Sequence, residues 1–165
     1  MERYQDKKVV IIGGTSGMGL ATAKMLLDGG ARVLVTGRSK AGRESAQKEL
    51  GKGAVVVSSD ARSLTDIEDL ASKVKAEFDT FDLLFVNAGF SIRAPLESMT
   101  EAVYDEMFNL NAKGPLFAVQ KLATDQPGRL YRLHDLDRQR QGNARPSCIR
   151  SRKGRDAIIR PDARR

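Results

Sequence analysis

Three glycines, at positions 13, 17 and 19 of Gly13-Gly14-Thr15-Ser16-Gly17-Met18-Gly19, are the residues whose type and spacing point most directly to chemistry. A glycine turn lets the backbone bend tightly and approach a ligand with no Cβ between them. The apolar run Val9-Val10-Ile11-Ile12 leads into this turn and a helix-like segment leaves it. The free N–H groups and positive dipole end of that helix would face the turn, which is a place for a dinucleotide pyrophosphate. The spacing G-x-x-x-G-x-G is wider than the commoner G-x-G-x-x-G, and such a turn carries weight only with its flanking strand and helix.

Those flanking elements recur along the first 128 residues. Leu20, Ala23, Met25, Leu26 and Leu27 suit a helix that stops at Gly29-Gly30. A buried-type strand, Arg32-Val33-Leu34-Val35-Thr36, runs into Gly37-Arg38-Ser39, and residues 40–50 read as a polar helix. Ala54-Val55-Val56-Val57 is a third strand ending near Asp60-Ala61. Leu64, Ile67, Leu70, Val74 and Phe78 recur at helical spacing. The fourth strand, Leu83-Leu84-Phe85-Val86, meets Asn87-Ala88-Gly89, and a longer helix is expected over roughly 100–123. Strands alternating with helices in this way imply right-handed βαβ units and a doubly wound α/β domain with a parallel sheet.

The glycine turn together with Asn87-Ala88-Gly89 resembles the short-chain dehydrogenase/reductase family, whose members bind NAD(H) or NADP(H). The family pattern is Thr-Gly-x-x-x-Gly-x-Gly and Asn-Asn-Ala-Gly; here Ile12 stands for the Thr and Val86 for the first Asn. The resemblance covers residues 7 to about 122. It implies that Asp60 lies beside the adenine ring, and that Asn111 in Asn111-Ala112-Lys113-Gly114 is the helix asparagine of a catalytic tetrad. It also implies an alcohol or carbonyl substrate and a homo-oligomer.

Cofactor preference follows from the end of the second strand. An acidic residue there would bind the ribose 2′-OH of NAD and repel the 2′-phosphate of NADP. This chain has Gly37, then Arg38 and Ser39: a guanidinium that can pair bidentately with phosphate, and a hydroxyl donor. NADP(H) is the expected cofactor, with NAD second.

The other three tetrad members, a serine, a tyrosine and a lysine four residues after the tyrosine, are not matched. In the family the tyrosine passes a proton to the carbonyl oxygen, and the lysine lowers its pKa. The one Tyr-x-x-x-Lys match, Tyr4 to Lys8, precedes the first strand and reads as coincidence. Residues 129–165 hold eleven Arg and one Lys against four Asp, a net +8, whereas residues 1–128 carry a net −1. A fifth strand is due where Leu130-Tyr131-Arg132-Leu133-His134-Asp135 stands, yet the segment keeps no sustained period. The sheet is therefore expected to stop after the fourth strand and its following helix, leaving that strand's edge open to other chains and the chain prone to aggregate. A change of composition this abrupt fits an out-of-frame reading of a GC-rich gene. Read one nucleotide later, permitted codons give Gly-Ser-Ile-Val-Phe-Thr-Thr-Ser-Ile-Ala over Arg129 to Arg138. They also give Tyr-Gly-Ala-Ala-Lys over Ile149 to Gly154, which restores serine, tyrosine and lysine in the family's order.

In the frame as written, the chain is expected to be inactive. Its alternative reading is a non-catalytic dinucleotide-binding fragment with a basic, disordered arm. Contact of that arm with nucleic acid is disfavoured, because Tyr131 is its one aromatic for base stacking. His134 is the sole histidine, so no metal site is expected. The single cysteine, Cys148, excludes an internal disulfide and fits a reducing cytoplasm. No apolar stretch has the length of a membrane span, and a cytoplasmic location is expected.

Overall fold

Alternate residues of the first strand point to opposite faces of a sheet, and both sets are apolar, so the strand must be covered on both sides. The computed structural model, which describes residues 3–123 and the backbone of 130–133 and 158–159, has this arrangement. Strands β1 (Lys8–Ile12), β2 (Arg32–Gly37), β3 (Ala54–Ser58) and β4 (Leu83–Val86) pair in parallel. Around them lie α1 (Gly17–Asp28), α2 (Lys40–Leu50) and α3 (Leu64–Phe78). Val9, Ile11, Val33 and Val35 pack with Ala23 and Leu26 of α1 and with Ala46 and Leu50 of α2. Val10, Ile12, Leu34, Leu84 and Val86 pack on the other face with Ile67, Leu70, Val74 and Phe78 of α3. Each fully buried Val, Leu, Ile or Phe contributes about 1.5–3 kcal/mol.

Two short strands extend this parallel core. β5 (Leu130–Leu133) runs parallel to β4 in the register Leu83↔Leu130 to Val86↔Leu133, and β6 (Ile158–Ile159) is antiparallel to β5. The sheet order is β3-β2-β1-β4-β5-β6. The edge of β4, expected to be open, is thus paired along its length by a segment that sits where a fifth strand was due. Unpaired N–H and C=O groups on an apolar edge strand favour such pairing. The rest of 129–165, with His134 and Cys148, lies outside the described residues.

The long helix expected over 100–123 is broken into three parts. α4 (Glu101–Phe108) passes into a wide π turn over Asn109–Lys113 and continues as α5 (Gly114–Ala123). Pro115 accounts for the break. It has no N–H to donate to the carbonyl of Asn111, and its ring crowds that carbonyl. α4 buries none of its residues, whereas α5 buries Gly114, Pro115, Ala118, Leu122 and Ala123. Because β1 lies between β2 and β4, chain direction across the sheet reverses at β1. A crevice opens there beyond the C-terminal ends of the strands.

Candidate dinucleotide-binding site

At the end of β1 the chain turns through Gly13, whose φ of +82° is the left-handed region that suits glycine. The turn is tied on both sides. The Gly13 N–H donates to Thr36 Oγ1 at 3.1 Å, and Asn87 Nδ2 donates to the Gly13 carbonyl at 3.0 Å. The N–H groups of Asn87 and Ala88 both donate to the Ile12 carbonyl at 2.9 Å. A Cβ on Gly19 would lie 2.1 Å from the Gly13 carbonyl oxygen, so the first turn of α1 packs directly on the strand turn. Gly17 is different: φ is +52° and nothing lies within 4 Å of where its Cβ would stand. The space beside Gly17 is open.

The start of α1 is left electrostatically unsatisfied. Its N-cap Ser16 makes no side-chain cap bond, and its first turn carries no acidic residue. By contrast Ser39, Ser63 and Thr100 cap α2, α3 and α4 through Gly42, Asp66 and Val103. The first intrahelical donor of α1 is Leu20, to the Ser16 carbonyl at 3.2 Å. The N–H groups of Gly17, Met18 and Gly19 precede it and remain available to an anion.

The crevice beside this turn is a cleft of about 690 Å³. Of the residues singled out in the sequence, Gly13, Thr15, Ser16, Arg38, Ser39, Asp60, Ala61, Asn87, Ala88 and Gly89 line it. Gly17, Met18 and Gly19 form the adjoining helix start rather than its wall. Asn111 stands behind the wall, where its Oδ1 accepts from the Phe90 N–H at 3.0 Å and its Nδ2 donates to the Phe90 carbonyl at 2.7 Å. The Asn111 side chain thereby fixes the loop that follows Asn87-Ala88-Gly89.

At the second strand's end, a Cβ on Gly37 would fall 2.3 Å from Thr15 Oγ1, so a side chain there would require Thr15 to move. Arg38 is exposed and its guanidinium forms no ion pair among the described residues. Ser39 Oγ accepts from the Gly42 N–H at 3.1 Å, which leaves its hydroxyl proton free to donate. Arg43 Nη1 donates to the carbonyls of Gly37 (3.3 Å) and Arg38 and braces this turn.

At the third strand's end, Arg62 grips Asp60 and also reaches Glu106 of α4, with Nη1 to Oε1 at 3.0 Å. Hydrogen bonding from Arg62 holds the Asp60 carboxyl below the usual carboxylate range, against the effect of burial, and the charges of Arg62 and Arg38 add to this. Arg62, Phe90, Glu106 and Leu110 also line the cleft and were not read from the sequence. The spacing Asp60-x-Arg62 was the available signal for Arg62. Nothing local marks Glu106, which lies 44 residues further along.

The group implied by this geometry can be tested against the residues present. Asn87 Oδ1 is buried with no hydrogen-bond partner among the described residues, an acceptor that a ligand donor would satisfy. With the uncapped α1 and the open side of Gly17, the site fits a phosphate-bearing dinucleotide. The model of the short chain dehydrogenase family matches residues 7–129. The chain belongs to that family. It is 34% identical over 120 residues to oxidoreductase asL5 of Sarocladium schorii, covering 73% of this chain and 48% of that protein. Galactitol 2-dehydrogenase of Agrobacterium fabrum is 30% identical over 121 residues, covering 73% and 47%. Among solved structures, a variant of actinorhodin polyketide ketoreductase with NADPH superposes with a TM-score of 0.69 at 26% identity, covering 72% of this chain and 47% of that one. The chain spans about half the length of the curated relatives it matches. Among the described residues no helix is long and apolar enough to cross a membrane, and no group of side chains is arranged to hold a metal.

Proposed function

We propose that this chain binds NADP(H) in the cleft and carries the cofactor-binding part of an oxidoreductase acting on a small alcohol or carbonyl compound. The observation that carries the reading is the uncapped start of α1 over the open side of Gly17. There the N–H groups of Gly17, Met18 and Gly19, with the hydroxyls of Thr15 and Ser16, would hold the pyrophosphate. Arg38 and Ser39 would take the ribose 2′-phosphate, which Gly37 leaves unopposed by any carboxylate. Asp60 and Ala61 would border the adenine, and Asn87, Ala88 and Gly89 would run along the nicotinamide half, their loop fixed by Asn111. The NADPH in the ketoreductase neighbour supports the same preference. When bound, the nicotinamide supplies or accepts hydride.

Proton transfer needs a phenol near the substrate oxygen, and the tyrosines with described side chains are not placed for it. Tyr4 packs on Gly29 at the far end of α1, and Tyr104 stacks on Phe108 with ring centroids 4.3 Å apart. Neither lines the cleft. The chain as written is therefore proposed to bind cofactor without turning it over, with the family's serine, tyrosine and lysine lying in the alternative frame. A homo-oligomer would use the exposed Tyr104, Phe108 and Leu116 along α4 and α5.

Fluorescence titration tests the cofactor reading. NADPH should bind at least about tenfold more tightly than NADH, and Arg38→Gln should remove most of that difference, as expected for one charged hydrogen-bonded contact. Equal affinities for the two at moderate salt would overturn it.

A further inference from the structure

Arg62 occupies an unusual position for a cleft cation, because both of its neighbours are carboxylates. Its Nε lies 3.1 and 3.2 Å from the two Asp60 oxygens, and Nη2 donates to Oδ2 at 2.7 Å. The Arg62 backbone N–H donates to Asp60 Oδ1 at 3.0 Å, and Nη1 bridges to Glu106. The side chains of Arg62 and Asp60 are 32% and 27% exposed, so the pair faces the cleft rather than the core. Arg38, Asp60, Arg62 and Glu106 are the charged residues lining it. Without Arg62, Arg38 would be the one cation among the lining residues of a cleft that also holds two carboxylates. Asp60 is near enough to feel the charge of Arg38, and once released it would compete with any phosphate for that guanidinium.

We infer that Arg62 is a positioning residue for cofactor specificity. By holding Asp60 and Glu106 paired, it keeps Arg38 uncompensated and so favours a dinucleotide with a ribose phosphate over one without. This rests on the NADP(H) reading above. The screening length at physiological salt is about 8 Å, and the cleft walls shield the charges from part of that screening. A merely structural arginine would affect both cofactors alike.

The test measures dissociation constants of NADPH and NADH for the full chain and its variants, with circular dichroism as a check on folding. Arg62→Gln should reduce the NADPH preference about five- to tenfold, the effect expected of one uncompensated charge within a shared cleft. Adding Asp60→Asn should restore the preference, because one carboxylate is then lost with the one guanidinium and the cleft keeps its wild-type net charge. Equal weakening of both cofactors by R62Q, or no recovery in the double variant, overturns the inference. Should R62Q alone not fold, wild type against D60N/R62Q carries the comparison, since the two have the same net charge in the cleft. The preference should then match within about twofold, and a larger gap overturns the inference. A wild-type chain without NADPH preference overturns the underlying cofactor reading instead. A preference lost in Arg38→Gln but kept in R62Q overturns this inference alone.

Discussion

Gly19→Ala gives the sharpest check on how the cofactor turn is built. The added methyl would lie 2.1 Å from the Gly13 carbonyl oxygen and 2.8 Å from Asn87 Nδ2, and the first of these neighbours is backbone. Relief requires α1 and the turn to part by roughly 1 Å, in an interior packed to crystal density. Overpacking of this kind costs about 1–3 kcal/mol. Parting them also strains the Asn87 to Gly13 hydrogen bond, and an unsatisfied buried amide costs about 1–3 kcal/mol more. Alanine's better helix propensity returns at most about 1 kcal/mol. The net loss should be about 2–4 kcal/mol, lowering Tm by roughly 6–15 °C for a domain of this size. Gly17→Ala is the matched control, with open space around its Cβ and only the strain of φ +52°, about 1–2 kcal/mol. Urea and thermal melts of both variants, with NADPH titrations, separate the two effects. G19A should lose mainly stability, while G17A should lose mainly cofactor affinity. A G19A melt within about 0.5 kcal/mol of wild type would refute the close contact between α1 and the strand turn.

Further predictions are open to direct measurement. Asn111→Ala removes both bonds to the Phe90 backbone, so amide exchange at Phe90 should quicken and NADPH affinity should fall a few-fold; unchanged exchange would contradict the clamp. Arg62 holds the Asp60 carboxyl below its ordinary range, so the pair adds stability above the usual Asp titration near pH 4 and loses it as pH falls through the lower native value. The gap in urea midpoint between wild type and Asp60→Asn should therefore be full at pH 6 and shrink as pH drops below about 4, and a gap equally large at both ends would contradict the pairing. Ser63→Ala should cost about 1 kcal/mol by removing the α3 cap at Asp66, read from thermal melts. Sequencing the coding DNA across Ala123 to Arg132 should reveal one extra or missing nucleotide; an intact frame would leave the non-catalytic reading.

Much of the architecture was legible because the signals were local. The unbroken apolar run Val9-Val10-Ile11-Ile12, the stop at Gly29-Gly30 and the helical spacing of Leu64 to Phe78 each depend on neighbours a few residues apart, and all match the observed elements. Ten of the named cofactor residues meet in one cleft because parallel strands end together. What stayed hidden was long-range or subtle. Arg62 and Glu106 are paired through space, and the fit of Thr15 against Gly37 depends on how two loops approach each other. β5 pairs through backbone groups, which composition does not reveal. The π turn was missed because apolar spacing on either side of Asn111 still reads as helical, and the weight of Pro115 four residues later went unnoticed.

That π turn acts as a dislocation in an otherwise regular rod. Compared with a continuous α-helix it inserts one residue, which rotates everything beyond it by about 100°. This phase shift explains how two successive helical segments differ, with α4 burying none of its residues and α5 burying five of its ten. Any insertion or deletion between Phe108 and Gly114 would bring the two halves back into phase or shift them further apart. Either change would swing Asn111 away from Phe90, so the length of this stretch is as tightly constrained as its chemistry.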